Sequence, residues 1–334
     1  IDQTKVDEDL ADFPVLVKLT SANFDFTEAN DDGYDIRFTA SDGLTLLSYE
    51  REQHDSVSEE AEYWVKVPSV SGTVDTEIYI YYTTTVTADG AEPESVWDEN
   101  YVMVQHMKDN TTSATLDSTG NNNDGAKGSA NNPLEADGKI GKGQDFDATA
   151  EYINISDNAS LELGNKITIE AWIYPDSIAN GTRRQIITKR DSSSDYCTFE
   201  LWLRYVTGES ANKRLEAGFA KSGPGWIGSA RGGSVNTGEW NYVGITHDAS
   251  ISGSINFLIN GTVIESDDDD TGTGTRLDNA EPIRIGYPGF DYALDGKIDE
   301  IRISNVIRSA SWIKASYESG NGTLLACGDE EALP

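Results

Sequence analysis

Aromatic side chains on predicted loops and strand ends are the residues best suited to hold a ligand. A sugar ring stacks its apolar face on Trp or Tyr, and its hydroxyl groups bind planar polar side chains. Trp226 is the strongest candidate because a Gly-Pro-Gly segment holds it on a loop. Loop aromatics also serve local packing, which is the alternative for each residue. The predicted ligand-binding residues are Trp202, Arg204, Tyr205, Trp226, Tyr287, Phe290 and Tyr292.

An acidic segment has the spacing of a calcium loop. Asp267, Asp269, Thr271, Gly272 and Asp278 follow the 1, 3, 5, 6, 12 pattern, in which alternating oxygen ligands wrap a hard cation. The twelfth position is Asp rather than Glu, and no flanking helices are predicted. An acidic, solvated hairpin loop is therefore the favoured interpretation, with calcium as the alternative.

Catalytic residues are not predicted. Retaining glycosidases hold two carboxylates about 5–5.5 Å apart, which on one strand requires a spacing of two residues. No E-x-D-x-x-E or E-x-D-x-E run occurs, and the neighbouring Asp299 and Glu300 would point to opposite faces. The three histidines, His54, His106 and His247, lie in no H-E-x-x-H motif, and G-x-S-x-G is absent. We therefore expect no enzyme activity.

The charge balance excludes several classes of partner. Lys and Arg number 25 and Asp and Glu number 58, so the net charge of the 334 residues is −33. Such a chain would be repelled by nucleic acid and by anionic lipid. No apolar run approaches the length of a membrane span. We expect the acids to cover turns and solvent-facing surfaces, which suits an extracellular, saline setting.

Period-two alternation dominates the chain and predicts an all-β protein of two β-sandwich domains. Only residues 309–319 have helical character, with Ser309 as the N-cap. Asn260 and Gly261 lie between two strand segments and predict a type I′ hairpin turn. The polar segment 83–99 is the predicted linker. The predicted domains are 1–97 and 98–326, followed by a tail over 327–334. Cys197 and Cys327 either form one disulfide or remain free.

The second domain contains four colinear motifs of a known family. Together they resemble laminin-G-like jelly rolls of the concanavalin A-like lectin and glucanase superfamily over roughly 100–326. The resemblance implies a jelly roll, in which a structural calcium often lies where the first and last strands meet. Asp117 and Asp299 are the matching positions. The motifs are 168–175 (TIEAWIYP), 238–246 (GEWNYVGIT), 257–261 (FLING) and 295–303 (DGKIDEIRI).

The first domain resembles a small β domain of unknown function that precedes such jelly rolls in prokaryotic and viral surface proteins. The matching segments are 12–17 (DFPVLV), 33–38 (GYDIRF) and 62–67 (EYWVKV). Members of that family begin with a strand that ends in I-x-I-D. This chain begins inside that strand, at Ile1 and Asp2. We therefore expect an incomplete first strand with an open edge, which would invite pairing with another strand.

These observations predict a non-catalytic module located outside the cell, on a cell surface or on a virion. It would bind a glycan or cell-surface polysaccharide, with calcium as a structural cofactor and no nucleic-acid or membrane partner. The alternative is a structural subunit of an extracellular filament, surface layer or virion fibre that assembles by strand exchange. A polysaccharide-active enzyme with an unrecognised site is the third interpretation.

Overall fold

The computed structural model describes most of the chain and divides it into two compact units. One unit combines Ile1–Glu99 with Ser309–Pro334, and the other comprises Asn100–Arg308. Side chains are described except those of residues 110, 111, 213, 226 and 227. The described residues are 1–111, 113–128, 132–179, 181–191, 197–205, 213–221, 226–266, 272–287 and 292–328.

The first unit consists of two three-stranded sheets, ordered β1-β5-β4 and β3-β2-β6. Phe38 of β2 meets Tyr49 of β4 and Tyr63 of β5 at ring distances of 5.3 and 5.5 Å, so the sheets pack face to face around an aromatic core. Three short 3-10 helices connect the strands, over Gln3–Lys5, Phe26–Glu28 and Pro93–Ser95. The strands are β1 (Leu10–Thr20), β2 (Arg37–Ala40), β3 (Leu46–Leu47), β4 (Tyr49–Asp55), β5 (Glu60–Val70) and β6 (Ile78–Tyr81).

The helix α1 (Ala310–Gly320) belongs to this first unit, whereas the sequence analysis grouped it with the second domain. Ser309 caps it as predicted, accepting a hydrogen bond from the Trp312 N–H at 3.1 Å. Trp312 packs edge-on against Phe13 of β1 at 4.9 Å, and the Leu16 N–H donates to Ser319 Oγ at 2.8 Å. These contacts with β1 explain the grouping.

The second unit is a β-sandwich whose strands follow one hydrogen-bonded order, β17-β16-β15-β14-β21-β12-β9-β8-β7-β22-β13-β18-β19-β20, with β10 and β11 paired beside β22. A 3-10 helix spans Ala159–Leu161. The strands are β7 (Tyr101–Thr111), β8 (Ala114–Asp117), β9 (Gly125–Lys127), β10 (Leu134–Asp137), β11 (Lys142–Asp147), β12 (Ile153–Ile155), β13 (Lys166–Pro175), β14 (Arg183–Arg190), β15 (Cys197–Tyr205), β16 (Lys213–Ala220), β17 (Trp226–Gly232), β18 (Asn241–Asp248), β19 (Asn256–Ile259), β20 (Thr262–Glu265), β21 (Ile283–Ile285) and β22 (Asp295–Ser304).

The all-β prediction is confirmed, and α1 is the one α-helix within the described ranges. Asn260 and Gly261 have φ angles of 47° and 78°, which is the left-handed geometry of the predicted type I′ hairpin turn between β19 and β20. No helix in the described part of the chain is long and apolar enough to cross a membrane. Both cysteines are free thiols, Cys197 buried and Cys327 exposed.

Alternation along β15 decides which side chains leave the core of the second unit. Phe199, Leu201 and Leu203 point into that core, where they are completely or almost completely buried. The intervening side chains, Glu200 and Trp202 among them, therefore lie on the opposite side of the sheet. This side holds the candidate site.

Candidate ligand-binding site

A set of polar side chains covers the outer side of strands β14 to β17. Gln185 pairs with Trp202, Trp202 with Glu216, and Glu216 with Arg231. Directly paired residues of antiparallel strands share a face, so one row of side chains crosses four strands. We call this surface the arginine face. Its members are Arg183, Gln185, Arg190, Glu200, Trp202, Arg204, Arg214, Glu216 and Arg231.

Glu216 is the centre of the arginine face. Arg183 donates to its carboxylate through Nε and Nη2 at 3.2 and 3.1 Å. Arg204 Nη1 lies 3.4 Å from Oε2, and Arg231 Nε lies 3.8 Å from Oε1. The indole N–H of Trp202 donates to Oε2 at 2.8 Å. Three guanidinium groups thus share one carboxylate.

The carboxylate forms the floor of this cluster, and the arginines form its rim. The Glu216 side chain is 4% exposed, whereas those of Arg183, Arg204 and Arg231 are 34%, 28% and 31% exposed. Buried Glu216 therefore fixes the guanidinium positions while their outer edges reach solvent. Such a rim can donate several parallel hydrogen bonds to hydroxyl or anionic groups of a ligand.

A second carboxylate, Glu200, lies on the same face. Arg190 Nη1 contacts its Oε2 at 2.9 Å. Burial raises the pKa of Glu200, although the charge of Arg190 opposes the shift. The search for catalytic spacing missed Glu200 and Glu216 because they occupy different strands. The alternation of Glu200, Trp202 and Arg204 within one strand was the available signal for a polar face.

The aromatic residues of the predicted site have different positions. Trp202 is buried, and the Arg183 guanidinium lies 4.8 Å from its ring centre. Tyr292 is exposed at the edge of the arginine face, with Arg183 5.8 Å from its ring. Tyr205 packs against the apolar core instead, because alternation places it opposite Arg204.

Three further predicted residues are not brought into the arginine face by the described contacts. Tyr287 is half-buried just after β21. The backbone of Trp226 begins β17, but its side chain is outside the described set. Phe290 also lies outside the described residues. Of the seven predicted ligand-binding residues, Trp202, Arg204 and Tyr292 are therefore the ones the structure places in or beside the face.

Asp117, a predicted calcium ligand, is already surrounded by donors of the protein. Its Oδ1 accepts from the backbone N–H groups of Val104 and Thr119 at 2.9 and 3.0 Å. Its Oδ2 accepts from Thr119 Oγ1 and the Asn123 N–H at 2.8 and 2.9 Å. Burial raises the pKa of Asp117, and these hydrogen bonds oppose that shift. The carboxylate organises the loop after β8.

Asp299 is not brought together with Asp117. Strand β7 lies between β8 and β22, and two strand spacings amount to about 10 Å. Asp299 Oδ2 accepts from the backbone N–H groups of Lys139 and Ile140 at 2.8 and 2.9 Å. This donor-rich pair does not fit one shared calcium site, whose ligands must meet around a single ion.

The acidic-loop calcium site stays a prediction. Asp267 and Asp269 lie outside the described residues. Asp278, at the twelfth position, has Oδ1 4.0 Å from the buried ammonium of Lys189.

A second polar cluster lies on strands β7, β13, β18 and β22. His106 Nδ1 and Arg302 Nη2 each contact the Glu300 carboxylate at 2.6 Å, and the Tyr242 hydroxyl donates to Glu170. All five side chains are buried. Burial would raise the pKa of Glu300, but the charges and hydrogen bonds of His106 and Arg302 prevail and lower it. We call these five residues the balanced cluster.

Solved structures with a similar fold share low sequence identity with this chain. The binding domain of paraclostridial mosquitocidal protein 1 aligns with a TM-score of 0.50 and 16% identity, over 66% of this chain and 52% of that domain. Domain 4 of a GH43 extracellular arabinanase from Geobacillus stearothermophilus, solved with arabinotriose, aligns with a TM-score of 0.45 and 23% identity. The alignment covers 64% of this chain and 97% of that domain. The botulinum neurotoxin DC binding domain, solved with SialylT, aligns with a TM-score of 0.48 and 14% identity, over 66% of this chain and 52% of that domain. The chain thus spans about half of these toxin domains.

Two family models match the sequence, and no curated protein does. Residues 32–122 match a domain of unknown function, DUF2341, which confirms the resemblance of the first part. Residues 147–314, half of the chain, match the model described as the concanavalin A-like lectin/glucanases superfamily. The sandwich of the second unit agrees with that match, and the chain belongs to the concanavalin A-like lectin/glucanases superfamily.

Proposed function

We propose that this chain is a non-catalytic extracellular module that binds carbohydrate through the arginine face. The observation that supports this function is the rim of Arg183, Arg204 and Arg231 around the buried Trp202–Glu216 pair. Arg183 donates two hydrogen bonds to Glu216, which hold its guanidinium group in place before any ligand arrives. Preorganised planar donors reduce the entropic cost of binding hydroxyl and ring oxygens. The exposed ring of Tyr292 at the edge offers a surface for a sugar ring.

The superfamily name covers both lectins and glucanases, and the geometry of the site supports binding rather than hydrolysis. A glycosidase must present one carboxyl group to the leaving oxygen and another to the anomeric carbon. Glu200 and Glu216 are both almost fully buried, and each is paired with arginine. This arrangement supports a binding role. Reducing-sugar release from plant, algal and cell-wall polysaccharides that depended on Glu200 or Glu216 would contradict it.

The extracellular location rests on composition. A net charge of −33 spread over the chain keeps the surface hydrated and is screened in saline media.

A glycan array followed by affinity electrophoresis tests the proposed binding. We expect retention by at least one polysaccharide, and about a tenfold loss of affinity for Arg183→Ala, because a charged hydrogen-bond donor is removed. Lys166→Ala is the matched control, since Lys166 is exposed on β13 away from the arginine face. Retention by none of the glycans, or equal losses for both variants, would contradict the proposal.

A subunit of a filament, surface layer or virion fibre is the second candidate. Strand β6 is the edge of its sheet, and Tyr79 within it is exposed, so another strand could pair there. Size-exclusion chromatography with light scattering and negative-stain microscopy would show assemblies that Tyr79→Lys weakens. A monodisperse monomer at high concentration would contradict this candidate.

A further inference from the structure

We infer that the ligand of the arginine face is an anionic polysaccharide that carries carboxylate or sulfate groups. This inference rests on the proposed function and specifies its ligand. The two kinds of anion share the chemistry that arginine recognises, namely planar or tetrahedral oxygen groups with negative charge.

Basic residues are concentrated in this part of an acidic chain. Strands β14, β15, β16, β17 and β21 contain nine basic and two acidic residues, a net charge of +7. The whole chain carries −33, so the remainder sums to −40. Seven of the twelve arginines fall within these five strands. The arginine face itself has five arginines, Arg183, Arg190, Arg204, Arg214 and Arg231, and two glutamates, Glu200 and Glu216. Such a concentration of basic residues attracts anions to this side of the sheet.

The contacts around Glu216 leave an excess of positive charge. Arg183 and Arg204 share its single carboxylate, so this pair of arginines has one more positive than negative charge. Glu200 adds one negative charge, which Arg190 already matches at 2.9 Å. The three rim guanidinium groups repel one another, and an anion placed among them would relieve that repulsion. A neutral glycan would not.

The charged groups of the rim are guanidinium groups, which bind carboxylate and sulfate through two parallel hydrogen bonds. Lys189, by contrast, is fully buried and held by Asp157 at 2.6 Å. The rim is therefore built for geometric recognition of an oxyanion.

Arg183 connects anion recognition to sugar stacking. Its guanidinium covers the ring of Trp202 at 4.8 Å while it donates to Glu216. The side chain of Arg183 is 34% exposed, so its outer edge can bind an anionic group while Glu216 holds it over the indole.

Titration calorimetry on the intact chain tests the inference. The probes are polygalacturonate (carboxylated), dextran sulfate (sulfated), neutral dextran and arabinan, and poly-glutamate. We expect one or both anionic polysaccharides to bind at least tenfold more tightly than the neutral ones. Raising NaCl from about 0.05 M to about 0.5 M should weaken that binding at least tenfold, because salt screens the attraction. The carboxylated and sulfated arms identify which anion is preferred.

Variants locate the binding on the arginine face. Arg204→Gln with Arg231→Gln should weaken anionic binding at least tenfold, and Lys166→Gln, which removes one charge elsewhere, should change it less than twofold. The double lysine variant at Arg204 and Arg231 keeps the charge and guards against misfolding of the glutamine pair. It should retain the salt dependence but lose several-fold in affinity, because lysine cannot form the paired hydrogen bonds.

Several outcomes would overturn the inference. Neutral glycans binding as tightly as anionic ones would refute the ligand class and leave the proposed function intact. Binding of no polysaccharide would refute both. Poly-glutamate binding as tightly as polygalacturonate would point to an acidic polypeptide instead. Equal effects of the arginine pair and Lys166→Gln would show that the binding lies elsewhere.

Discussion

The arginine face and the balanced cluster both place buried glutamates against arginine on the outer sides of the second unit. In the balanced cluster, Glu300 is shared by His106 and Arg302, which are 3% and 5% exposed. On the arginine face, Glu216 is shared by three guanidinium groups that reach solvent. The same residue types therefore form one closed group and one open group.

The difference teaches how charge stoichiometry separates stabilising polar clusters from recognition surfaces. A buried ion pair must satisfy every charge internally, because desolvation costs several kcal/mol per ion. A cluster with unmatched charge is tolerated only where solvent or a ligand can reach it. The contacts of Glu300 with His106 and Arg302 are closed to solvent, whereas the guanidinium groups around Glu216 reach it. Four measurements test this comparison, from the largest expected effect to the smallest.

Removal of the carboxylate from the balanced cluster should cost the most stability. Glu300→Gln leaves Arg302 without its charge partner in a buried position, so we expect a loss of about 3–5 kcal/mol in the free energy of unfolding. Glu216→Gln is the matched variant on the arginine face and should cost about 1 kcal/mol, since its arginines remain solvated. Denaturant unfolding measures both. Equal losses would refute the distinction between closed and open clusters.

His247 is a buried titratable group outside both clusters. The centre of its ring lies 4.1 Å from the centre of the Phe219 ring. Burial, helped by the charge of Arg276, lowers the pKa of His247 to about 3. The unfolded chain therefore binds more protons below pH 6.5, and stability falls as the pH falls. Between pH 6.5 and 5 we expect a loss of about 2 kcal/mol.

His247→Phe should remove that acid sensitivity and keep the packing against Phe219. His54→Phe is the comparison, since burial lowers the pKa of His54 as well. Its Nδ1 is hydrogen-bonded to the Tyr63 hydroxyl at 2.6 Å, so His54→Phe should also destabilise at neutral pH. Unfolding free energies at several pH values measure the two profiles. An unchanged slope in His247→Phe would assign the acid sensitivity to other groups.

Glu200 should respond to pH in the opposite sense to Glu300. The pKa of Glu200 is raised by burial, so stability declines as the pH rises from the ordinary glutamate pKa through the raised value. The pKa of Glu300 is lowered by His106 and Arg302 against the effect of burial, so its contribution is lost as the pH falls through the lowered value. Glu200→Gln should abolish the decline, which unfolding free energies at several pH values would measure. A decline that persisted in the variant would contradict this account.

The smallest effect concerns repulsion within the rim. Arg204→Gln removes one of the two guanidinium groups that share Glu216 with Arg183, so we expect stabilisation by a few tenths of a kcal/mol at low salt and none at high salt. Lys166→Gln should slightly destabilise, because it removes a positive charge from an acidic chain. Melting temperatures of both variants at low and high ionic strength measure the two effects. Destabilisation by Arg204→Gln at low salt would show that the rim has no excess charge.

Local patterns in the sequence predicted the elements well. Alternation located strands such as β1, β5 and β7, the Asn260-Gly261 pair located a type I′ turn, and Ser309 located the start of α1. The family motifs predicted the jelly roll. Each of these signals is contained in a few neighbouring residues. The features they predict have causes of the same short range, namely the side-chain period of a strand and the geometry of a turn.

The composition and motifs of the chain thus determined its all-β class, its superfamily and its acidic character. Only the tertiary structure brought Glu200 and Glu216 onto one face, turned Tyr205 into the core, surrounded Asp117 with protein donors and joined α1 to the first unit. These outcomes depend on strand register and burial, which are set by contacts between residues far apart in the chain. The charge of −33 is a property of the sequence, but the gathering of its arginines into one positive face is a property of the fold.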